Sequence, residues 1–170
     1  ATLFSHPTVA GLAEQLRGEG VSAAVADIEP VDRSKPLLMS FAQQRLWFLE
    51  VMEPGGSAYN VPWAARLDGA LDMAALQYAV AQLVSRHESL RTVFANSDAG
   101  PVQIVQPEMT VGVEQLDMPW AADEVVSTRI QELDARPFDL SNGPLIRVTI
   151  LQVAETQNVL LVCMHHIISD

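Results

Sequence analysis

The 170-residue sequence has a single cysteine, Cys163, few basic residues and no long apolar run. One cysteine excludes a disulfide framework within the chain and fits a reducing, cytoplasmic setting. Only 10 Lys and Arg stand against 21 Asp and Glu, a net charge of -11, and the basic residues form no cluster along the sequence. Binding a phosphate backbone needs concentrated Lys and Arg, so no nucleic-acid partner is expected. The longest apolar run, residues 159–164, is too short to cross a bilayer. No basic stretch followed by an apolar one marks a signal peptide, so no membrane partner is expected either. The chain opens on Ala1 rather than Met, which suggests a piece of something longer.

What is present is a 49% hydrophobic chain, enough for one full core and a short appendage. The appendage opens the sequence. Pro7 suits the first turn of a helix, Val9, Leu12, Ala13 and Leu16 fall on one face, and Gly18 stops it. A single short amphipathic helix cannot bury its own stripe. Residues 18–36 have no periodicity and carry Gly18, Gly20, Pro30 and Pro36, the signature of a linker.

The larger unit follows. A helix is predicted over 40–52, with Ser40 as N-cap, Gln43 placed for a capping box, and Pro54-Gly-Gly56 ending it. Residues 61–67 read as a strand. Asp72 caps a helix running to His87, with Leu76, Val80, Leu83, Val84 and His87 on one side. Strands near 91–95, 101–105 and 111–116 and a helix near 121–134 come next. Residues 144–153 and 159–164 read as neighbouring strands joined by a polar turn, the second buried on both faces. The mixture predicts an α/β (α+β) sandwich rather than a bundle or barrel.

The last predicted strand delivers His165, His166 and Asp170. A strand end holds a side chain rigidly. Alternation along an extended backbone sends the two histidines to opposite sides, so one can face a cleft while the other is internal and hydrogen-bonded. A metal site is disfavoured, because adjacent histidines rarely chelate from one strand and the chain has no second His or Cys cluster. His6 and His87 are its only other histidines. A working imidazole and ordinary core histidines both stay open on residue types alone. An imidazole suits proton transfer from an amine or thiol. No Gly-x-Ser-x-Gly turn supplies a nucleophile, and Cys163 reads as packing. Arg86, His87 and Glu88 read as a structural helix end, Arg45 and Trp47 as packing and salt-bridge residues, and Tyr59 and Asn60 as candidates to line a substrate path.

Three blocks carry a family resemblance. Ser40-Phe-Ala-Gln-Gln-Arg-Leu-Trp-Phe-Leu49, Arg86-His-Glu-Ser-Leu-Arg-Thr-Val-Phe94 and Met164-His-His-Ile-Ile-Ser-Asp170 resemble, in order, the first three motifs of nonribosomal peptide synthetase condensation domains. The third is the His-His-x-x-x-Asp-Gly signature without its glycine. Pro137-Phe-Asp-Leu140 and Gly143-Pro-Leu-Ile-Arg147 look typical of the same family. The opening block, Leu3-Phe-Ser-His-Pro-Thr-Val-Ala10, resembles the last helix of a peptidyl carrier domain. The resemblance implies residues 1–17 as the end of a carrier domain, 18–36 as an interdomain linker, and 37–170 as the N-terminal lobe of a chloramphenicol acetyltransferase-like condensation domain.

The family resemblance implies an activity as well. An acceptor amine attacks a donor thioester, both substrates being tethered by phosphopantetheine to carrier domains, and a peptide bond forms. The carrier serine that bears phosphopantetheine is not in this chain. Within the motif, His166 matches the catalytic histidine, as a general base or as a group that positions the amine and stabilises the tetrahedral intermediate. His165 and Asp170 match supporting positions, and Arg91 matches an arginine that pairs with the motif aspartate. The implied partners are upstream and downstream carrier domains, the second lobe of the same domain and an adenylation domain, with the 170-residue chain inactive alone. An epimerization domain shares the signature but usually differs in the first motif. A heterocyclization domain would carry Asp where His165 and His166 stand. A non-catalytic recruitment module is disfavoured by intact His166 and Arg91.

Overall fold

The computed structural model describes Ser5 and residues 7–18, 29–98 and 100–169. The chain divides into two units, residues 1–32 and 33–170. In the first, helix α1 (Val9–Gly18) starts where the Thr8 hydroxyl accepts from the Gly11 amide at 3.1 Å. Val9, on its predicted apolar face, is 89% exposed. Of the predicted linker 18–36, Gly18 is the last residue of α1 rather than its stop, residues 19–28 lie outside the described residues, and 29–36 form no helix or strand.

In the second unit, β1 (Leu37–Leu38) leads into α2 (Phe41–Met52). The predicted capping box is formed: the Ser40 hydroxyl accepts from the Gln43 amide at 3.2 Å, and Gln43 Oε1 accepts from the Ser40 amide at 2.9 Å. Two of the helix's orphan N-terminal donors are satisfied reciprocally. Strand β2 (Asn60–Asp68) follows. Asp72 caps α3 (Met73–Arg86) by accepting from the Ala75 amide at 2.9 Å. A 3₁₀ turn over Glu88–Arg91 leads to β3 (Thr92–Ser97) and β4 (Gly100–Val105), then β5 (Val113–Asp117), α4 (Asp123–Asp134), β6 (Ile146–Ala154) and β7 (Gln157–His165). A last 3₁₀ turn spans His166–Ile168.

The strands make two sheets, β1-β4-β3 and β2-β7-β6-β5. In the larger, β7 runs antiparallel to both β2 and β6, and β5 is parallel to β6. The predicted neighbours over 144–153 and 159–164 are β6 and β7. Covering helices explain the continuous apolar run of β7. Val159 and Leu161 pack with Val126 and Leu133 of α4. Leu160, Val162 and Met164 pack with Val80 and Val84 of α3. A third cluster joins Phe94 of β3, Cys163 of β7 and Ile167 of the last turn, with Leu46 and Trp47 of α2 against it.

The α3 stripe needs a correction. Leu76, Val80 and Val84 face the sheet, but Leu83 is 52% exposed and His87 is exposed. The apolar contacts with the sheet come from the i, i+4 row of Leu76, Val80 and Val84, and His87 lies past the last helical turn as the C-cap.

Gly143 has a structural reason to be glycine. Its φ is +62°, and a Cβ there would sit 3.1 Å from Met109 Cε and from Val93 Cγ1. Asp139 organises the same turn: its carboxylate accepts from the Ser141 amide at 2.9 Å and the Asn142 side chain at 2.7 Å. Those bonds, the Asn142 side chain first, hold its pKa below the usual carboxylate value.

Candidate active site

The site is built where β7 ends. His165 stands opposite Asn60 of β2 in the sheet register and is 3% exposed. Its ring lies between Phe138, edge-on with centroids 6.2 Å apart, and Tyr59 at 6.3 Å. Its Nδ1 accepts from the Ile167 amide at 3.1 Å, capping the final 3₁₀ turn. An accepting Nδ1 must be unprotonated, so the neutral ring carries its hydrogen on Nε2. Burial first, and the His166 charge second, push the pKa of His165 down to about 4. At neutral pH this imidazole is an uncharged structural acceptor.

His166 is exposed and lines a pocket of about 190 Å³. The two histidines do diverge, His165 being buried and His166 exposed, with His165 itself in extended backbone. The strand stops at His165, and the chain enters the 3₁₀ turn at His166. The backbone around His166 is held at successive points. Its amide donates to Tyr59 O at 2.8 Å, and its carbonyl accepts from the Ser169 amide at 3.2 Å. The Ile167 amide is held by His165, and the Ile167 carbonyl accepts from Gln43 Nε2 at 3.4 Å. Ile167 itself is buried in the cluster with Phe94 and Cys163. A side chain carried on such a fixed backbone is preorganised.

Opposite His166 the pocket is lined by the start of α2 (Ser40, Gln43, Leu46) and by Ser89, Thr92, Phe94 and Gln103. No Asp, Glu, Lys or Arg lines it among the described residues. The Oγ of Ser169, also on this pocket, is buried without a hydrogen-bond partner.

The other expected residues fall elsewhere. Asp170 lies outside the described residues, and its pairing with Arg91 does too. Arg91 lines a different pocket, with Arg33, Lys35 and Glu88. Its guanidinium donates to Gln106 O and sits 3.6 Å from the Glu88 carboxylate. Glu88 also pairs with Arg33 at 2.7 Å, a structural use of this helix end. Trp47 packs against the core as expected, whereas Arg45 is exposed and forms no ion pair among the described residues. Tyr59 and Asn60 do not line the His166 pocket. Tyr59 supports His165 and the His166 amide from behind. Asn60 Nδ2 donates to the Asp134 and Arg136 carbonyls, tying the end of α4 to the sheet.

Cys163 is a packing residue. It is 2% exposed, its thiol donates to Asp134 Oδ1 at 3.3 Å, and burial pushes its pKa up to about 11. A thiol held so far from ionisation is no nucleophile. Arg147 was not singled out by sequence. Its guanidinium donates to the Arg136 and Pro137 carbonyls and lies 3.8 Å from the centre of the Phe138 ring, the ring that backs His165. Among the described residues no group of three or more His, Cys, Asp or Glu could hold a metal ion, and no helix is long and apolar enough to cross a membrane.

Comparison with known proteins bears on the same region. The condensation-domain family model matches residues 34–170. Linear gramicidin synthase subunits C and B from Brevibacillus parabrevis are 40% and 43% identical to the chain over 99% of it. The chain spans only 2% and 3% of the length of these two relatives. Among solved structures, the starter condensation domain of rhizomide synthetase matches with a TM-score of 0.71 and 25% identity, covering 78% of this chain and 33% of that one. The X-domain in its complex with OxyB from teicoplanin biosynthesis matches with a TM-score of 0.71 and 28% identity, covering 81% of this chain and 30% of that one. The mixed α/β architecture is therefore the chloramphenicol acetyltransferase-like fold of these domains, and the chain belongs to the condensation-domain family of nonribosomal peptide synthetases.

Proposed function

We propose that this chain contributes the catalytic histidine and one wall of a peptide-bond-forming site, with His166 as the working imidazole. The observation that carries the reading is the division of labour at the strand end. His165 is buried and used up as an acceptor, while His166 projects into a pocket from a fixed backbone. The pocket's neutral polar and apolar lining suits a neutral thioester on an amide-bearing phosphopantetheine arm.

In this reading the acceptor α-amine attacks the thioester carbonyl. The tetrahedral intermediate then collapses, the C–S bond breaks, and the proton lost by nitrogen reaches the departing thiolate. His166 either relays that proton or holds the amine and the intermediate in place. Residues 1–17 are the end of a carrier domain and 18–36 a linker. Relatives that match over 99% of the chain, beyond the family model's start at residue 34, support this. The partners are the flanking carrier domains, an adenylation domain and a second lobe. Support for the second lobe comes from exposed Phe41, Phe48 and Met52 on α2 and exposed Trp63 on the edge strand β2. The reading places this chemistry in the cytoplasm.

Catalysis by positioning needs donor, acceptor and imidazole held together, so the 170-residue chain is inactive alone. The test mixes loaded donor and acceptor carriers with either this chain or a longer protein carrying the downstream lobe, and reads dipeptidyl-carrier by mass. The longer protein should turn over, and His166→Ala in it should lose about 10²-fold or more. Turnover by the bare chain, or full turnover by His166→Ala, overturns the proposal. The likeness to an X-domain that was solved with OxyB favours one second reading, a recruitment module. That reading gains if the longer protein shows no turnover yet binds a partner protein with His166 replaced.

A further inference from the structure

We infer that Gln43, at the start of α2, is a positioning residue for His166, so that one side chain serves both as a helix cap and as a strut for the histidine turn. The inference rests on the reading of His166 as the working imidazole.

The geometry uses both ends of one amide. Gln43 Oε1 accepts from the Ser40 amide at 2.9 Å, which completes the capping box. That donor fixes which way the amide faces, since only the oxygen can accept. The NH₂ end is thereby aimed at Ile167 O, 3.4 Å away and 124 residues along the chain. Ile167 follows His166 directly. Its amide is already held by His165 Nδ1 at 3.1 Å, so its two backbone polar groups are gripped from opposite sides. Apolar contacts reinforce the strut, because Leu46 and Trp47 of α2 pack against the cluster that contains buried Ile167. Gln43 and His166 also line the same pocket. The strut therefore sets the angle at which the imidazole meets that pocket.

Capping and positioning can be separated. Glu serves as well as Gln at the third position of a capping box. Gln43→Glu keeps an acceptor for the Ser40 amide, loses the donor to Ile167 O, and sets a carboxylate beside a carbonyl in the His166 pocket. Asp72→Ala does the opposite: it weakens a helix cap, that of α3, away from the His166 pocket, and leaves both ends of the Gln43 amide engaged. Both are made in the complete condensation domain within its synthetase. The synthetase's own adenylation domains load the carriers from a mixture of the twenty standard amino acids, and dipeptidyl-carrier is read by mass in single-turnover time courses. Melting temperature and the pH profile of the rate constant are measured alongside.

Gln43→Glu should keep its melting temperature within about 2 °C and lose roughly 10- to 100-fold in rate constant, the scale expected of a misplaced catalytic group. Its pH profile should shift to higher pH, because a nearby carboxylate favours the charged imidazole. Asp72→Ala should lose melting temperature and keep the rate constant within about threefold, measured well below its transition. Gln43→Glu with a wild-type rate constant and pH profile overturns the inference. So does a Gln43→Glu domain that melts early, or an Asp72→Ala domain that loses as much rate as Gln43→Glu. If His166→Ala itself keeps full rate, it is the assignment of His166 that fails, and the two failures are told apart.

Discussion

Replacing His165 tests the proposition that this histidine is structural. His165→Ala removes the acceptor for the Ile167 amide and leaves that donor buried, a loss of about 1–3 kcal/mol. It also removes ring contacts with Phe138, edge-on, and Tyr59, tilted, each worth about 0.5–1.5 kcal/mol. The expected total is about 2–6 kcal/mol. His165→Asn carries an oxygen where Nδ1 sits, keeps the acceptor and loses only the ring contacts, so it should recover about 1–3 kcal/mol of that loss. A pH series adds an independent readout. The native pKa of about 4 lies below the ordinary value of 6.5. Between those two values the unfolded chain binds a proton at this position and the folded chain does not. Stability attributable to His165 is thus intact above about pH 6.5 and declines as pH falls toward 4, by on the order of 3 kcal/mol. The His165→Asn variant has no such group and should lose correspondingly less over the same range. Urea unfolding from pH 7.5 to 4.5, on wild type and both variants, measures all of this. Equal stabilities of the Ala and Asn variants would refute the capping role. Parallel pH curves for wild type and Asn would refute the buried neutral imidazole.

Three further outcomes follow from the core around the site. Cys163 should resist iodoacetamide at pH 8 in the folded protein and react on unfolding, and its protonated thiol should cost stability as pH rises from about 9 toward 11; fast labelling of native protein would contradict its burial. Gly143→Ala should destabilise by about 1–3 kcal/mol, since it meets both a left-handed backbone and two side chains at 3.1 Å, and an unchanged denaturation midpoint would show that the turn relaxes freely. Arg91→Ala should lose the guanidinium bond to Gln106 O, about 1.5–3 kcal/mol, and lower folded yield; full yield with full activity in a complete domain would remove Arg91 from the framework, and a double-mutant cycle with Asp170→Asn reads the proposed pairing.

The local grammar of the chain was legible without coordinates. Ser40 and Asp72 cap their helices where the sequence places them, and the β6–β7 hairpin and the α/β mixture appear as read. Caps and periodicities act over three or four residues, so they are written into short stretches of sequence. The ordered motifs likewise carried the family. What only the tertiary structure decided are contacts between residues far apart in the chain. Sequence marks Gln43 as a cap but not as a strut for a turn 124 residues away. It marks two adjacent histidines but not that one of them lies beside Phe138 and Tyr59, where burial first and its neighbour His166 second suppress its charge. It suggests Tyr59 and Asn60 for a substrate path, but not that Tyr59 holds the His166 amide or that Asn60 ties the end of α4 to the sheet. The apolar stripe of α3 includes Leu83 by periodicity, yet the apolar contacts with the sheet come from Leu76, Val80 and Val84. Burial, hydrogen-bond partners and pKa depend on which surfaces meet, and that is settled by packing over the whole fold rather than by any window of sequence.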